Sequence, residues 1–237
     1  MNILEAISKK PFSVVGHRGA KGRKPENTIS AIKFAIDSGA DIVEVDVRST
    51  KDGELILLHD PDFKRVSGKD VSPSQLDLIE IKRGITVYGE PVATLEEAII
   101  TVKDKVGLFV EIKEKNTVEN VLNKIKKFRY EKQTAVISFY EDAIFEAKKL
   151  NPDITTGLIY SEPPGKIIEA KKLGADIVLP GYWLATEKAV RFAHKMSLKV
   201  VSWVVNDEEH LKQAFSRKID AIATDYPDMI VKLREKF

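Results

Sequence analysis

Apolar residues follow two alternating patterns along this chain. Short runs rich in valine and isoleucine recur, and each is followed by a longer segment whose apolar residues are spaced by three or four. The first pattern predicts strands and the second predicts helices. The predicted strands are 12–16, 42–47, 107–112, 135–138, 155–159, 176–179, 199–204 and 219–223. The predicted helices are 30–38, 95–103, 118–128, 143–150, 167–173, 187–196, 208–215 and 229–237.

The order of these elements predicts a closed parallel barrel. The predicted strands are apolar along nearly their whole length, so both of their faces must be buried. Strands buried in this way, alternating with eight helices, are typical of an α/β protein with the TIM (β/α)8 fold. The length of 237 residues fits one such barrel. We therefore predict a single TIM-barrel domain over residues 1–237.

One segment departs from this repeat. Residues 60–93 follow the second strand and lack its simple alternation, although Ser72 and Pro73 could start a short helix through Leu76 and Ile79. We expect a small insertion subdomain here. Because it emerges at the carboxyl end of the barrel strands, it could wall a substrate cleft. The alternative is a structural loop without a role in binding.

Composition narrows the range of partners. A formal net charge of +2 with 31% charged residues argues against a strongly basic nucleic-acid binder. The chain has no cysteine, so any metal ion must be held by oxygen or imidazole ligands. The first ten residues show no basic region before a long apolar run, and no stretch of 18 apolar residues occurs. We expect a cytoplasmic protein without a stable membrane anchor.

Three acidic residues form a candidate metal site. Glu44 and Asp46 lie two apart on the second predicted strand and therefore share a face. A divalent cation would favour both ionised carboxylates, but Arg48 extends the same face and offers an internal salt bridge instead. Glu111, at the carboxyl end of the next barrel strand, adds a third carboxylate and favours the metal. Oxygen ligands suit Mg²⁺ or Ca²⁺ best, with Mn²⁺ also acceptable.

Positive side chains and two histidines accompany the acids. Lys113 lies two residues beyond Glu111, and with Arg18 it could contact the non-bridging oxygens of a phosphate. Lys113 could also be a solvated lysine at the end of a strand. His17 and His59 each end a strand-like run, where they could act as general acid and general base. Two further histidines, His194 and His210, lie in predicted helices, and we interpret both as surface residues.

Glu26 and Trp203 each admit two interpretations, while Asn27 or Thr28 admits a simple structural one. Asn27 or Thr28 could cap the first helix, and Glu26 could either order the site or favour the helix N-terminus. Trp203, on the seventh predicted strand, could form an aromatic wall for an alcohol group or belong to the barrel core.

Seven short segments together resemble a known family. They are H-R-G-A at 17–20, P-E-N-T at 25–28, E-V-D-V at 44–47, L-H-D-P at 58–61, V-E-I-K at 110–113, W-V-V-N-D at 203–207 and A-T-D-Y-P at 223–227. This ordered set resembles the amino-terminal and carboxyl-terminal signatures of the glycerophosphodiester phosphodiesterase family. The resemblance implies a TIM barrel with an inserted subdomain after the second strand.

The resemblance also implies a role for each candidate residue. Glu44, Asp46 and Glu111 would hold a divalent ion, and His17 and His59 would be the acid–base pair. Arg18 and Lys113 would contact phosphate, and Trp203 would line the glycerol pocket. The substrate would be a small glycerophosphodiester, hydrolysed to glycerol 3-phosphate and an alcohol.

The residues leave several alternatives open. Either histidine could be the acid, and either water or the 2-hydroxyl of glycerol could attack the phosphorus. The same site could support a lysophospholipase D-like or phospholipase C-like activity if the cleft admits an acyl chain. A phosphodiester-binding barrel without activity is an alternative from another class. The sequence does not single out a helix face for oligomerisation.

Overall fold

A computed structural model describes residues 2–237 and confirms the barrel. The strands are β1 Ser13–Gly16, β2 Ile42–Ser49, β3 Leu55–Leu57, β4 Thr86–Val87, β5 Glu90–Pro91, β6 Gly107–Ile112, β7 Thr134–Ser138, β8 Thr155–Tyr160, β9 Ile177–Pro180, β10 Lys199–Ser202 and β11 Ala221–Thr224. The helices are α1 Ile3–Ile7, α2 Ile29–Asp37, α3 Lys64–Ser67, α4 Leu78–Gly84, α5 Leu95–Val102, α6 Val118–Lys127, α7 Glu141–Leu150, α8 Ile167–Lys172, α9 Glu187–Lys195, α10 Glu208–Ser216 and α11 Pro227–Arg234.

Eight parallel strands close into a ring. They follow the order β1, β2, β6, β7, β8, β9, β10 and β11, and β1 pairs with both β2 and β11. Alternate residues of each strand face the barrel interior or the surrounding helices. On β2, Val43, Val45 and Val47 pack outward against helices, while Ile42 belongs to the interior cluster. Glu44 and Asp46, in the same alternation as Ile42, therefore share the face of β2 that points to the barrel interior.

The amino-terminal end of the barrel is closed by a helix that the sequence pattern did not predict. Ile3, Ala6 and Ile7 of α1 are buried in the interior cluster together with Ile42 and Phe109. A helix of five residues contains too little sequence for a helical period to be recognised. Its position leaves the opposite, carboxyl end of the strands as the open mouth.

Residues 60–93 form a short excursion with its own apolar cluster. Strand β3 runs antiparallel to β2, and the turn between them contains Gly53 in the left-handed region at φ +81°. The excursion then contains α3, a 3₁₀ turn at Pro73–Gln75, α4 and the β4–β5 hairpin. Its cluster includes Phe63, Val66 and Ile81. Its status as a separate subdomain stays a prediction.

The helix expected to continue from Ser72 and Pro73 through Ile79 is interrupted. Leu76 adopts an extended backbone at φ −123° and ψ 143°, which ends the 3₁₀ turn. Asp77 then starts α4 through a capping box with Glu80. Among residues 2–237, no helix combines the length and the apolar character that crossing a membrane requires.

Candidate active site

Three carboxylates converge at the carboxyl end of neighbouring strands. Asp46 on β2 lies opposite Glu111 on β6 in the parallel register, and Glu44 lies one pleat before Asp46. One oxygen from each of Glu44, Asp46 and Glu111 lies within 4.8 Å of the other two. All three residues are buried, with at most 8% of their surface exposed. The predicted acidic set therefore forms one compact cluster.

Burial and mutual repulsion act on the protonation of this cluster. Burial, followed by the negative charges of Asp46 and Glu111, raises the pKa of Glu44 well above its ordinary value. Burial and the charge of Asp46 likewise raise the pKa of Glu111 to about 7. Burial also acts to raise the pKa of Asp46, but the charges of Lys113 and Arg18 outweigh it and lower that pKa. Keeping three acids this close together in the ionised form therefore lowers the folding stability of the metal-free protein.

The carboxylate oxygens of this cluster are suitable ligands for a hard divalent cation. Oε2 of Glu44 accepts a hydrogen bond of 2.8 Å from the backbone N–H of Arg18, while Oε1 is buried without a hydrogen-bond partner. A buried acceptor without a partner is costly, and a bound cation would remove that cost. Three carboxylates without sulfur or imidazole ligands match the oxygen preference of Mg²⁺ or Ca²⁺.

The salt bridge considered for Arg48 does not form with these acids. The Arg48 guanidinium instead donates to the carbonyl oxygen of His59 at 2.9 Å and 3.1 Å, and to Glu114 at 3.1 Å. The cations that meet the cluster are Lys113 and Arg18. Lys113 Nζ lies 2.9 Å from Asp46 Oδ1 and also contacts Glu111.

Arg18 connects the acidic cluster to a further carboxylate. Its Nε lies 3.1 Å from Asp46 Oδ2, and its Nη1 donates to Glu26 Oε1 at 2.9 Å. Glu26 is only 4% exposed, so its interaction with Arg18 is shielded from water. Of the two interpretations for Glu26, the structure supports the one in which it orders Arg18.

Both candidate histidines are held at Nδ1 by an aspartate. His17 Nδ1 lies 2.7 Å from Asp225 Oδ1, and His59 Nδ1 lies 2.7 Å from Asp60 Oδ1. An imidazole that donates through Nδ1 presents an unprotonated Nε2 when it is neutral. Burial, reinforced by the charge of Lys113, lowers the pKa of His59 below its ordinary value despite the opposing charge of Asp46.

The candidate residues other than Asp46 line a single cavity at the barrel mouth. Its polar side is lined by His17, Arg18, Glu44, His59, Glu111 and Lys113. Its other side is apolar and includes Trp203, whose ring meets Phe139 edge to face at 5.7 Å. Trp203 Nε1 donates to the carbonyl oxygen of Leu179 at 2.8 Å, which fixes the indole against the barrel.

The remaining histidines lie away from this cavity. His194 on α9 pairs with Asp220, and His210 on α10 pairs with Asp207. Thr28, not Asn27, caps α2 by accepting from the backbone N–H of Ala31.

Several supporting residues were not identified from the sequence. Asn27 exchanges two hydrogen bonds with Asp46, one from its side-chain amide at 2.8 Å and one from the Asp46 backbone at 3.1 Å. Asn206 donates to the second oxygen of Asp225 at 2.9 Å. The segments P-E-N-T, L-H-D-P, W-V-V-N-D and A-T-D-Y-P contain these residues, so their polar positions were the available signal.

Together, these features define a (β/α)8 barrel with an acidic, cation-compatible site, two aspartate-supported histidines and two cationic side chains at the carboxyl ends of its strands. Such a combination suits the hydrolysis of a phosphate ester. The model of the glycerophosphoryl diester phosphodiesterase family matches residues 17–229. This chain therefore belongs to the glycerophosphoryl diester phosphodiesterase family.

Known proteins resemble the chain over nearly its whole length. A glycerophosphodiester phosphodiesterase of Caldanaerobacter subterraneus subsp. tengcongensis is 30% identical over 241 residues, covering 94% of this chain and 98% of the relative. The solved glycerophosphodiester phosphodiesterase of Thermotoga maritima is 28% identical with a TM-score of 0.83, covering 95% and 99% of the two chains. An Oleispira antarctica phosphodiesterase, solved with the product sn-glycerol-3-phosphate, is 25% identical with a TM-score of 0.85, covering 94% and 96%.

Proposed function

We propose that this chain hydrolyses small glycerophosphodiesters to glycerol 3-phosphate and an alcohol, with a divalent ion and two histidines. The observation that supports the proposal is one cavity lined by two carboxylates of the acidic cluster, two cations and two aspartate-supported histidines, with Asp46 completing the cluster behind them. Membership of the family and the product complex of the Oleispira antarctica relative support the choice of substrate class.

Glu44, Asp46 and Glu111 would hold the divalent ion, Mg²⁺ or Ca²⁺ by preference. When bound, this ion would supply positive charge toward a phosphoryl oxygen. The protein's own contribution is to fix the three carboxylates before binding. Asn27 and Lys113 hold Asp46, the backbone N–H of Arg18 holds Glu44, and Lys113 also contacts Glu111.

Arg18 and Lys113 would bind the non-bridging oxygens of the phosphodiester. Both line the cavity beside the acids, and both are largely buried, with 11% of each side chain exposed. A hydrogen bond from a cation to phosphate is strengthened when water is excluded in this way. Their positive charge would stabilise the negative charge that grows on the phosphoryl oxygens during attack.

His17 and His59 would move the two protons of the reaction through their Nε2 atoms. One imidazole would accept the proton of the attacking hydroxyl, and the other would donate a proton to the leaving alkoxide. Asp225 and Asp60 would hold the rings by accepting the Nδ1 protons and would favour each imidazolium as it forms. The lowered pKa of His59 keeps its Nε2 free to accept a proton at neutral pH.

The apolar wall formed by Trp203 and Phe139 would pack against the carbon chain of the substrate. The same wall makes a lysophospholipase activity the second candidate, because it could receive the first methylenes of an acyl chain. Turnover of glycerophosphocholine and lysophosphatidylcholine should be compared on the same preparation. We expect glycerophosphocholine to be preferred, and a preference for the lipid would favour the second candidate. The cytoplasmic location expected from the sequence stays a prediction.

A turnover screen with Mg²⁺, Ca²⁺, Mn²⁺ or a chelator tests the metal and the reaction together. We expect release of glycerol 3-phosphate from glycerophosphocholine that stops with chelator and returns when a divalent ion is added. Activity unchanged by chelation would refute the proposal that a divalent ion is required. Binding of glycerophosphocholine without any turnover would instead indicate the inactive phosphodiester-binding barrel.

A further inference from the structure

Arg65, on the short helix α3 of the 60–93 excursion, connects two carboxylates beside the candidate site. Its Nε donates to Asp60 Oδ2 at 2.5 Å. Its Nη2 donates to Glu26 Oε1 at 2.6 Å, and its Nη1 donates to Glu26 Oε2 at 3.0 Å. Nη1 also donates to the Tyr88 hydroxyl at 3.0 Å. All three guanidinium nitrogens are therefore engaged within the protein.

Each of these carboxylates holds a different residue of the site. The second oxygen of Asp60 lies 2.7 Å from His59 Nδ1, and Glu26 Oε1 also accepts from Arg18 Nη1 at 2.9 Å. Arg65 is thus separated from His59 by one carboxylate and from Arg18 by another. It is not among the residues that line the cavity.

The positive charge of Arg65 balances the two carboxylates and so affects the residues that they hold. Glu26 is almost completely buried, and without Arg65 its full negative charge would be balanced by Arg18 alone. Arg18 would then be held more tightly by Glu26 and would be less available to a phosphate. Asp60 is more open to solvent, with 22% of its side chain exposed, and would lose the contact that fixes its orientation toward His59.

Only a planar guanidinium can hold both carboxylates in this way. Arginine offers donors in a rigid fork that spans two carboxylates, whereas the single ammonium of lysine cannot reproduce the two-pronged contact with Glu26 and also reach Asp60.

We propose that Arg65 is a positioning residue that sets the orientation of His59 through Asp60 and the availability of Arg18 through Glu26. This inference rests on the proposed function, in which His59 transfers a proton and Arg18 binds phosphate. It gives the excursion after β2 a role in ordering the site from outside the cavity. The competing explanation is that Arg65 merely fastens the excursion to the barrel.

Three variants of Arg65 and one control test the proposal. In Arg65→Met we expect kcat/KM for glycerophosphocholine to fall about 10- to 100-fold, the range typical of lost supporting contacts. The affinity for sn-glycerol 3-phosphate, titrated calorimetrically with Mg²⁺ present, should fall as well. Arg65→Lys should recover only part of the activity. The control is Lys64→Met. Lys64 lies on the same helix as Arg65, and its substitution removes only an exposed ion pair with Asp70, so this variant should match the parent in both assays.

Chemical rescue separates positioning from fastening. Millimolar guanidinium added to Arg65→Ala should restore activity, because the free ion can occupy the gap between Asp60 and Glu26. Lack of rescue, or an Arg65→Met enzyme within about twofold of the parent, would overturn the proposal. An inactive parent enzyme would instead refute the proposed function, so the two failures are distinguishable.

Discussion

The acidic cluster should make the stability of the metal-free protein fall as pH rises. Glu111 has an ordinary pKa of 4.5, which burial and the charge of Asp46 raise to about 7 in the folded protein. Between these values the folded protein keeps a proton that the unfolded chain has released, so the free energy of unfolding decreases with pH. At 1.36 kcal/mol per pKa unit, the loss attributable to Glu111 is about 3 kcal/mol.

Replacing Glu111 with glutamine should remove this loss, because the amide keeps the shape of the side chain but does not ionise. In chelator, the difference in free energy of unfolding between Glu111→Gln and the parent should therefore grow by about 3 kcal/mol from pH 4 to pH 8. Comparing the two pH values cancels contributions that do not depend on pH, such as altered packing. Urea denaturation of both proteins at each pH measures the difference.

Divalent ions provide the second arm of this experiment. Mg²⁺ should stabilise the parent at pH 8 more than at pH 5, because protons compete with the ion for the cluster. It should stabilise Glu111→Gln much less at either pH. Glu119→Gln, a substitution at an exposed residue of α6, is the matched control and should behave as the parent. A stability difference that does not change between pH 4 and pH 8 would refute the reasoning.

Four further substitutions address the histidines, the backbone and the apolar wall. His17→Ala and His59→Ala should each lower kcat at least 100-fold, the usual range for a lost general acid or base, and steady-state kinetics with circular dichroism checks both activity and folding. Gly19→Ala should lower the free energy of unfolding by about 1–3 kcal/mol, because Gly19 has φ +80° and a Cβ would lie 2.6 Å from the carbonyl carbon of Ala31. Thermal denaturation measures this loss, and an unchanged midpoint would contradict it. Trp203→Ala should raise KM for glycerophosphocholine roughly tenfold with a smaller change in kcat, whereas an unchanged KM would show that the indole is only a core residue.

The barrel could be predicted from the sequence because its strands and helices differ in period over many residues. Strand β2 illustrates the reason, since its valines face outward and its acids inward in strict alternation. Convergence of Glu44, Asp46 and Glu111 followed from the same rule, because parallel strands bring their carboxyl ends to one edge. This reasoning needed the alternation within each strand, which is local, and the neighbouring positions of β2 and β6, which follow from the repeated strand–helix order.

Alternation was insufficient where a strand leaves the barrel. Arg48 belongs to the same face as Glu44 and Asp46 by count, yet it contacts Glu114 and the His59 carbonyl. At this point β2 pairs with the antiparallel strand β3, with Arg48 opposite Ile56. A long side chain there meets the returning chain before it meets the acids. The path of that return depends on a hairpin and a short excursion whose contacts carry no periodic signal.

The two histidines show how differently local and distant support can be recognised. Asp60 follows His59 directly in the chain, so the pair is visible in the sequence as two neighbouring residues. Asp225 lies 208 positions from His17, and the two meet only because β1 pairs with β11 when the ring closes. The backbone N–H of His17 also donates to the Thr224 carbonyl at 2.9 Å across this junction. Closure of the barrel therefore places Asp225, which follows the last strand, against His17, which follows the first. The support of His17 is assembled only when the first and last strands pair.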